Sequence, residues 1–310
     1  MKTLVLEPMP DLFWHEVKEN GWSSFFYKKN QSTIEKIEII IIRTNTNFNK
    51  HLFDEFPDLK LIIRAGTGVD NIDIKIAQKR NIVVCNTPEA NAFSAYEHTI
   101  SFVFALIKQH QKAKESILNN SWKSQLPENL EISDLNVLLV GLGRVGTRVA
   151  RTLLNLGADV LAVDPYLTPE EWAQKLVVET SYKAGLEWCN MLSFHCPLTR
   201  ETKNYFSMKK LQQLQNPIWL INTARGKIVQ EKAIEMGLQK GILLGVALDV
   251  FSSEPWKLKE FAKSNKVLLT PHTGSFTKKA KQRMALETLK VWSEFVFDNK
   301  IISPIDYRFY

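Results

Sequence analysis

The sequence predicts an α/β protein with two doubly wound parallel-sheet domains. Its 310 residues exceed what one hydrophobic core usually organises, so two domains are expected. Short β-branched or apolar runs alternate with longer amphipathic stretches in both parts of the chain, which is typical of parallel strands joined by crossover helices. A glycine-rich segment between a strand pattern and a helix pattern opens the second part.

The first part of the chain contains five strand-length runs and then a long amphipathic pattern. The runs predict strands at residues 3–6, 24–27, 38–42, 61–64 and 82–85. The amphipathic pattern predicts one long helix from about Ala92 to Leu118. The polar segment 119–129, which contains a proline, is interpreted as a surface connection.

The second part repeats this alternation and ends in a helix. Strands are predicted at residues 137–140, 159–163, 191–194, 218–221, 245–248 and 267–269. Apolar positions that include Met284 and Leu289 predict a last amphipathic helix over about 277–297. A short tail, residues 301–310, follows it.

The composition excludes several classes of protein. No apolar run approaches the roughly 18 residues that a membrane-spanning helix needs. The N-terminal apolar run is too short for the core of a signal peptide, because Glu7 and Pro8 interrupt it. Three cysteines, an odd number, favour reduced thiols in a cytoplasmic protein over a disulfide framework, and no metal-site spacing is present.

The net charge of +7 has two interpretations. The lysines are scattered, and no basic stripe is interleaved with aromatic residues, so nucleic acid is not an expected partner. A solvated basic surface is the simpler interpretation. The alternative is a positive field that attracts anionic small molecules.

A cofactor site is predicted at the glycine-rich segment. The sequence VLLVGLGRVG, residues 137–146, places Gly141, Gly143 and Gly146 in a GxGxxG pattern between a strand and a helix. The first glycine allows a tight turn, the second allows the backbone to approach a pyrophosphate, and the third allows close helix–strand packing. The helix N-terminus adds N–H groups and a partial positive charge that attract the diphosphate.

The end of the next strand indicates which dinucleotide binds. Asp164 lies 18 positions after Gly146, where the ribose hydroxyls of NAD are expected. A carboxylate accepts hydrogen bonds from both hydroxyls but repels a 2′-phosphate, so NAD is preferred over NADP. The alternative role for Asp164 is that of a turn residue before Pro165.

Later strand ends supply candidate catalytic residues. Arg225, Asp249, Glu254 and His272 each follow a predicted strand, at the edge where open α/β sheets bind ligands. Reduction of a 2-keto acid needs a cation that holds the carboxylate and an acid that protonates the carbonyl oxygen. Arg225 suits the first role and His272 the second, with Glu254 orienting the ring and raising its pKa. Considered singly, each residue type also occurs as a salt-bridge donor, a packed histidine or a capping carboxylate.

The ordered motifs resemble one known family. They lie at residues 64–73, 86–88 (with Asn91, Ser94 and Glu97 beyond), 141–146, 164, 195–197, 222–226, 247–255 and 271–272. Over roughly residues 60–290 the chain resembles the D-isomer-specific 2-hydroxyacid dehydrogenases, especially the 3-phosphoglycerate dehydrogenase branch. A chain that ends near Tyr310 is expected to lack the C-terminal regulatory domain of longer members.

The resemblance implies a fold and a role for each matching position. It implies a Rossmann NAD domain, residues 97–276, inserted into a flavodoxin-like substrate domain made of residues 1–96 and 277–310, with the active site in the cleft. Arg225 matches the substrate-binding arginine, Glu254 the acid that tunes the pKa of the histidine, and His272 the proton donor. The expected cofactor contacts are Thr87, Gly141, Gly143, Arg144, Val145, Gly146, Asp164, His195, Cys196, Pro197, Thr223, Ala224, Arg225, Asp249, His272 and Gly274. The expected substrate contacts are Arg64, Thr67, Gly68 and Arg225, and no metal is expected.

Two questions stay open at this point. Arg64, together with Arg43 or Lys79, would hold a phosphate and favour 3-phosphoglycerate, whereas ordinary surface cations there would favour glyoxylate, hydroxypyruvate or lactate. The same architecture also serves NAD-sensing transcriptional corepressors, a non-enzymatic alternative. The family implies a homodimer that forms across the long helix after Asn91.

Overall fold

The computed structural model describes residues 1–27, 36–123 and 126–307. The chain divides into two compact units, one formed by Met1–Phe93 with Phe276–Tyr310 and the other by Ser94–Ser275. The domain boundaries predicted from the sequence, after residues 96 and 276, lie close to the ends of these units.

The first unit is built on a five-stranded parallel sheet with the order β2-β1-β3-β4-β5. This is the flavodoxin-like order. Its strands are β1 (Lys2–Val5), β2 (Phe25–Tyr27), β3 (Ile37–Ile42), β4 (Leu61–Arg64) and β5 (Val83–Asn86). Its helices are α1 (Asp11–Glu19), α2 (Lys50–Glu55), α3 (Ile74–Lys79) and α11 (Lys278–Asp298).

The core of the first unit explains why β3 is almost entirely isoleucine. A parallel sheet covered on both faces buries both sets of alternating side chains, and Ile39 to Ile42 are all fully buried. Trp292 of α11 is buried on this sheet, and its indole Nε1 donates to the buried Thr3 hydroxyl at 2.7 Å. The C-terminal helix therefore belongs to the same core as the first strands.

The second unit is built on a seven-stranded parallel sheet with the order β12-β11-β10-β9-β6-β7-β8. This is the Rossmann order, extended by one further strand. Its strands are β6 (Asn136–Val140), β7 (Asp159–Val163), β8 (Val178–Glu179), β9 (Met191–Phe194), β10 (Ile218–Asn222), β11 (Leu243–Leu248) and β12 (Val267–Leu269). Its helices are α4 (Ala92–Ile107, which starts at the unit boundary), α5 (His110–Leu118), α6 (Arg144–Asn155), α7 (Pro169–Lys175), α8 (Tyr182–Trp188), α9 (Met208–Leu211) and α10 (Glu231–Gln239).

Two details differ from the sequence-based expectation. The single helix predicted from Ala92 to Leu118 is wrong, because Gln109 adopts a left-handed conformation (φ 48°) between α4 and α5. The side-chain amide of Gln109 contacts residues 127–129 of the connection that follows α5, at 3.3–3.4 Å. The two-residue strand β8 was not predicted. Residues 124–125 of the predicted connection and 308–310 of the predicted tail lie outside the described residues.

Within the described ranges, no helix has the length and apolar character that crossing a membrane requires. Over the same ranges, no group of His, Cys, Asp and Glu side chains is arranged to hold a metal ion.

Candidate active site

The glycine-rich turn between β6 and α6 has the geometry that its spacing predicts. Gly141 has a φ of +97°, and a Cβ there would lie 2.7 Å from the backbone of His195 and Cys196. A Cβ on Gly146 would lie 2.1 Å from the carbonyl oxygen of Gly141. A Cβ on Gly143, the residue that caps α6, would meet nothing within 4 Å. The outer glycines therefore close the turn, and the middle one faces open space.

Asp164 follows β7 and reaches back to this turn. Its Oδ2 accepts the backbone N–H of Leu142 at 2.8 Å, and its Oδ1 accepts that of Tyr166 at 3.1 Å. Each carboxylate oxygen can accept more than one hydrogen bond, so the group retains acceptor capacity beside the glycines. Arg144 is exposed on the first turn of α6, whereas Val145 packs against the hydrophobic core with its side chain.

The segment His195-Cys196-Pro197 follows β9 and lies against the glycine turn. Burial lowers the pKa of His195 to about 3, and its Nε2 lies 2.9 Å from the hydroxyl of Ser193. Burial also raises the pKa of the Cys196 thiol to about 12. Both side chains are therefore neutral near pH 7, and neither adds charge beside the turn.

Arg225 extends from a short turn after β10. Asn222, which is buried, accepts the N–H of Ala224 at 3.1 Å through Oδ1 and donates from Nδ2 to the carbonyl of Arg225 at 2.9 Å. The hydroxyls of Thr223 and Thr99 lie 2.9 Å apart. At the next residue, a Cβ on Gly226 would lie within 2.4 Å of the backbone of Phe251, so only glycine lets this turn meet the loop after β11.

Glu254 and His272 form a pair between the loops after β11 and β12. Nδ1 of His272 lies 2.6 Å from Oε2 of Glu254, and Oε1 of Glu254 accepts the N–H of Phe251 at 3.1 Å. Burial acts to raise the pKa of Glu254, but the His272 contact, the Phe251 N–H and the nearby Arg225 charge outweigh it, so that pKa lies below its usual value. The carboxylate is therefore ionised and aligned on one nitrogen of the ring.

Asp249 organises the segment that carries His272. Its Oδ1 accepts the hydroxyl of Thr270 at 2.5 Å and the N–H of Thr273 at 2.8 Å, and its Oδ2 accepts the N–H of Gly274 at 2.8 Å. His98 of α4 places Nε2 2.9 Å from the Thr270 hydroxyl. Burial acts to raise the pKa of Asp249, but the contact with His98, whose Nε2 lies 3.5 Å from Oδ1, and the hydrogen bonds from Thr270, Gly274 and Thr273 outweigh it, so the pKa lies below its usual value.

The backbone of His272 is held in an unusual conformation. Its φ is +53°, in the left-handed region that non-glycine residues seldom occupy. Its N–H donates to the carbonyl of Asp249 at 2.8 Å, which stabilises this conformation and aims the ring at Glu254. His98 and Thr270 contribute to the arrangement but were not predicted, because only the fold brings α4 beside the end of β12.

The predicted substrate loop lies in the first unit, after β4. The guanidinium of Arg64 lies over Gly66, where a Cβ would be 1.7 Å from Nη1, and its Nη2 lies 3.4 Å from the Thr44 hydroxyl. The backbone N–H groups of Thr67 and Gly68 donate no hydrogen bond within residues 1–27, 36–123 and 126–307.

Thr87 and Asn86 brace this loop from the end of β5. The buried Thr87 hydroxyl accepts the N–H of Gly66 at 2.6 Å, and its own N–H donates to the Gly66 carbonyl at 3.0 Å. Asn86 donates from Nδ2 to the carbonyl of Thr67 at 2.6 Å. Within this unit the Thr87 side chain is therefore committed to the loop.

Arg43 lies on a loop that an unpredicted residue, Glu7, holds in place. The buried Glu7 carboxylate accepts the N–H groups of Arg43, Asn45 and Thr46 at 2.8–3.0 Å. Burial acts to raise the pKa of Glu7, but these hydrogen bonds outweigh it and lower the pKa.

Only one of the two cations proposed to act with Arg64 lies at its edge of the sheet. Ile42, which precedes Arg43, is the register partner of Arg64, so both arginines stand at the carboxyl edge. Lys79 ends α3 and precedes β5, at the opposite edge. The geometry therefore favours Arg43, and not Lys79, as the partner of Arg64.

Comparison with known proteins agrees with this geometry. Residues 100–274 match the NAD binding domain of the D-isomer specific 2-hydroxyacid dehydrogenases. The D-3-phosphoglycerate dehydrogenase of Bacillus subtilis is 32% identical over 277 residues, which are 89% of this chain and 53% of that protein. The chloroplastic D-3-phosphoglycerate dehydrogenase 2 of Arabidopsis thaliana is 32% identical over 293 residues, 92% of this chain and 47% of that protein. The chain thus spans about half the length of these relatives.

Solved structures show the same fold. The D-lactate dehydrogenase of Aquifex aeolicus, complexed with NAD and lactic acid, superimposes with a TM-score of 0.85 at 26% identity and covers 98% of this chain and 100% of its own. A D-2-hydroxyisocaproate dehydrogenase superimposes with a TM-score of 0.83 at 18% identity, covers 98% of this chain and 99% of its own, and supports the fold alone. The family match extends over more than half of the chain and confirms the resemblance carried by the motifs. The chain belongs to the D-isomer specific 2-hydroxyacid dehydrogenases and contains their NAD-binding domain.

Proposed function

We propose that this protein is an NAD-dependent oxidoreductase that acts on the CH–OH group of a D-2-hydroxy acid. The observation that supports this most strongly is the grouping of Arg225, Glu254 and His272 in the loops that follow three adjacent strands, β10, β11 and β12. The ring of His272 is aligned on an ionised Glu254 at 2.6 Å, and the charge of Arg225 acts on the same carboxylate.

The residues after β6 and β7 fit a bound dinucleotide. The open space at Gly143 leaves room for a pyrophosphate at the N-terminus of α6, and Asp164 has acceptor capacity for the ribose hydroxyls. Asp249 and the turn 223–225 stand at the carboxyl ends of β11 and β10, where the nicotinamide end is expected. When bound, NAD supplies or accepts the hydride.

The residues after β10 and β12 supply the remaining chemistry. The planar fork of Arg225 holds the substrate carboxylate and polarises the neighbouring carbonyl. His272 donates a proton to the carbonyl oxygen during reduction and accepts it back during oxidation. Glu254 stabilises the imidazolium and fixes which ring nitrogen faces the substrate.

A panel of 2-keto acids with NADH tests this function. We expect oxidation of NADH by at least one of 3-phosphohydroxypyruvate, hydroxypyruvate, glyoxylate and pyruvate. Binding of NADH without turnover of any of them would favour the corepressor-like alternative.

Cofactor preference gives a first prediction. We expect NADH to bind at least about tenfold more tightly than NADPH, because Asp164 accepts from the ribose hydroxyls and repels a 2′-phosphate. Asp164→Ala should reduce this difference in affinity between NADH and NADPH. Asp159→Ala, at the exposed start of the strand that Asp164 follows, should leave the difference unchanged. Dissociation constants from fluorescence titration measure both effects. Equal affinities in the unmodified protein would contradict the role of Asp164.

The substrate we favour is 3-phosphoglycerate, which is oxidised to 3-phosphohydroxypyruvate. Arg43 and Arg64 stand at one edge of the first sheet, on loops that Glu7 and Thr87 hold in place. A phosphate dianion needs such charge-assisted donors. This substrate would assign the enzyme to serine biosynthesis. The three free cysteines support the reducing cytoplasm as its compartment.

Phosphate recognition gives a second prediction. Losing a hydrogen bond to a charged group costs about 1.5–3 kcal/mol, which is roughly one to two decades in binding. Arg64→Ala should therefore raise KM for 3-phosphohydroxypyruvate by roughly 10- to 100-fold and hardly change KM for glyoxylate. Lys79→Ala, at the opposite edge of the sheet, serves as the control and should change neither. Equal losses on both substrates would mean that Arg64 only supports its loop.

The proposal includes a homodimer. Ile117 and Leu118 at the end of α5 are 63% and 69% exposed, and Trp122, four residues beyond the helix, is 71% exposed. Exposed apolar patches mark protein interfaces. Analytical ultracentrifugation should show a dimer for the unmodified protein and a larger fraction of monomer for Trp122→Asp. An unmodified protein that sediments as a monomer would contradict the proposed dimer.

A further inference from the structure

A carboxylate lies behind the loop that carries Glu254. Glu231 is the first residue of α10, and its side chain is only 12% exposed. The loop in question comprises residues 250–259, directly after β11. Glu231 belongs to none of the positions assigned above, so its burial among polar loop groups requires a separate explanation.

The carboxylate of Glu231 holds the loop on both sides of Glu254. Its Oε1 accepts the N–H of Ser252 at 3.3 Å, the Ser252 hydroxyl at 2.5 Å and the indole N–H of Trp256 at 3.2 Å. Its Oε2 pairs with the ammonium of Lys259. Ser252 and Trp256 stand two residues before and two residues after Glu254, so a single group fixes both flanks.

Packing in the loop transmits this constraint to the catalytic pair. The rings of Phe251 and Trp256 stack with centroids 4.6 Å apart and 22° between their planes. The backbone N–H of Phe251 donates to Oε1 of Glu254 at 3.1 Å, and the other oxygen of Glu254 contacts His272. Movement of the loop would therefore move Glu254 relative to the ring.

Glu231 is ionised in this setting. Burial acts to raise the pKa of Glu231, but the Lys259 ammonium and the Ser252 hydrogen bonds outweigh it and lower the pKa. Hydrogen bonds to a charged acceptor are shorter and stronger than those between neutral groups. The anchor is therefore strongest in the pH range where Glu254 must also be charged.

We propose that Glu231 is a positioning residue for the reaction, acting through Glu254 on the proton donor His272. This inference rests on the proposed function. A misplacement of about 1 Å at reacting groups can cost up to about 10²-fold in rate. Loss of the anchor should therefore reduce turnover without removing any group that touches the substrate.

Four variants distinguish the positioning role of Glu231 from a general effect on the stability of the protein. Glu231→Leu keeps the volume and removes every acceptor, whereas Glu231→Gln keeps an acceptor for Ser252 and Trp256 and loses the charge. Trp256→Phe keeps the ring that stacks on Phe251 and removes one donor. Glu235→Leu, at an exposed position one turn further along α10, is the matched control.

Two readouts are measured on each variant: amide hydrogen exchange of residues 250–259 and the kinetics of 2-keto acid reduction. We expect Glu231→Leu to increase exchange in the loop and to lower kcat about 10- to 100-fold, with Kd for NADH unchanged. Its alkaline activity limb should move to lower pH, as in Glu254→Gln. Glu231→Gln and Trp256→Phe should show smaller effects and Glu235→Leu none.

A double-variant cycle gives the sharpest test. If Glu231 acts through Glu254, Glu231→Leu should cause little further loss of kcat in a Glu254→Gln background. Additive losses, an unchanged pH profile, or fast loop exchange with normal kcat in Glu231→Leu or Glu231→Gln would each overturn the proposal. A wild-type protein that turns over no 2-keto acid would instead refute the proposed function, while the exchange data would still report whether Glu231 holds the loop.

Discussion

Replacing His272 by alanine should lower kcat for 2-keto acid reduction by about 10²- to 10⁴-fold, the usual cost of removing a positioned general acid. The variant loses the imidazole that Glu254 aligns at 2.6 Å, which is the group proposed to deliver the proton. Kd for NADH should change little, because the glycine turn and Asp164 are untouched. Steady-state kinetics and cofactor titration of the same preparation measure both quantities.

The pH dependence of the unmodified enzyme should also reflect proton donation by His272. Reduction of the keto acid consumes the proton that His272 donates, so activity in this direction should fall as pH rises. The pKa of Glu254 lies below its usual value of about 4.3. The ionised carboxylate that aligns His272 therefore persists as pH falls and is lost only below that value.

The control for His272→Ala is His15→Ala, which removes an exposed histidine on α1 and should leave kcat unchanged. A His272→Ala enzyme with near-normal kcat would mean that another group donates the proton.

Replacing Arg225 by methionine should have an effect of similar size, but on kcat/KM. A bidentate grip makes two hydrogen bonds to a charged group, at roughly 1.5–3 kcal/mol each, so its loss corresponds to about 10²- to 10⁴-fold. Arg225→Lys keeps the charge without the planar fork, so its kcat/KM should lie between that of the unmodified enzyme and that of Arg225→Met. Kinetics with the best substrate of the keto acid panel measure the loss.

The control for Arg225 lies two residues along the chain. Lys227 is an exposed cation on the same turn, and Lys227→Met should leave kcat/KM nearly unchanged. Similar losses in Lys227→Met and Arg225→Met would indicate a general electrostatic effect of this surface rather than a specific contact. Such a result would remove Arg225 from the proposed mechanism.

The edge of the sheet at which the candidate catalytic residues lie was predictable because the fold leaves few choices. In a parallel α/β sheet the carboxyl ends of the strands meet at one edge, so the loops that follow the strands are brought together. Arg225, Glu254 and His272 lie in the loops after β10, β11 and β12. The glycine turn was predictable for a similar reason, since Gly141 and Gly146 leave no space for a Cβ.

The supporting residues were not predictable from local pattern. His98 contacts Thr270 across 172 positions of sequence, and Glu7 caps a loop 36 to 39 residues later. Glu231 lies at a helix start, where an acidic residue is expected for its interaction with the helix dipole alone. The break at Gln109 also depends on contacts with distant residues. In each case tertiary contacts decide the role, and the local sequence carries no signal for them.

The most direct test of the proposed reaction follows the hydride itself. The enzyme is incubated with its best 2-keto acid and NADH that carries deuterium at C4 of the nicotinamide, on the face the enzyme uses, and the product is examined by mass spectrometry and chiral chromatography. We expect one deuterium at C2 of the product, in the D-2-hydroxy acid alone. A product without deuterium after trials with both labelled faces, or a product of the L configuration, would contradict the proposed reaction.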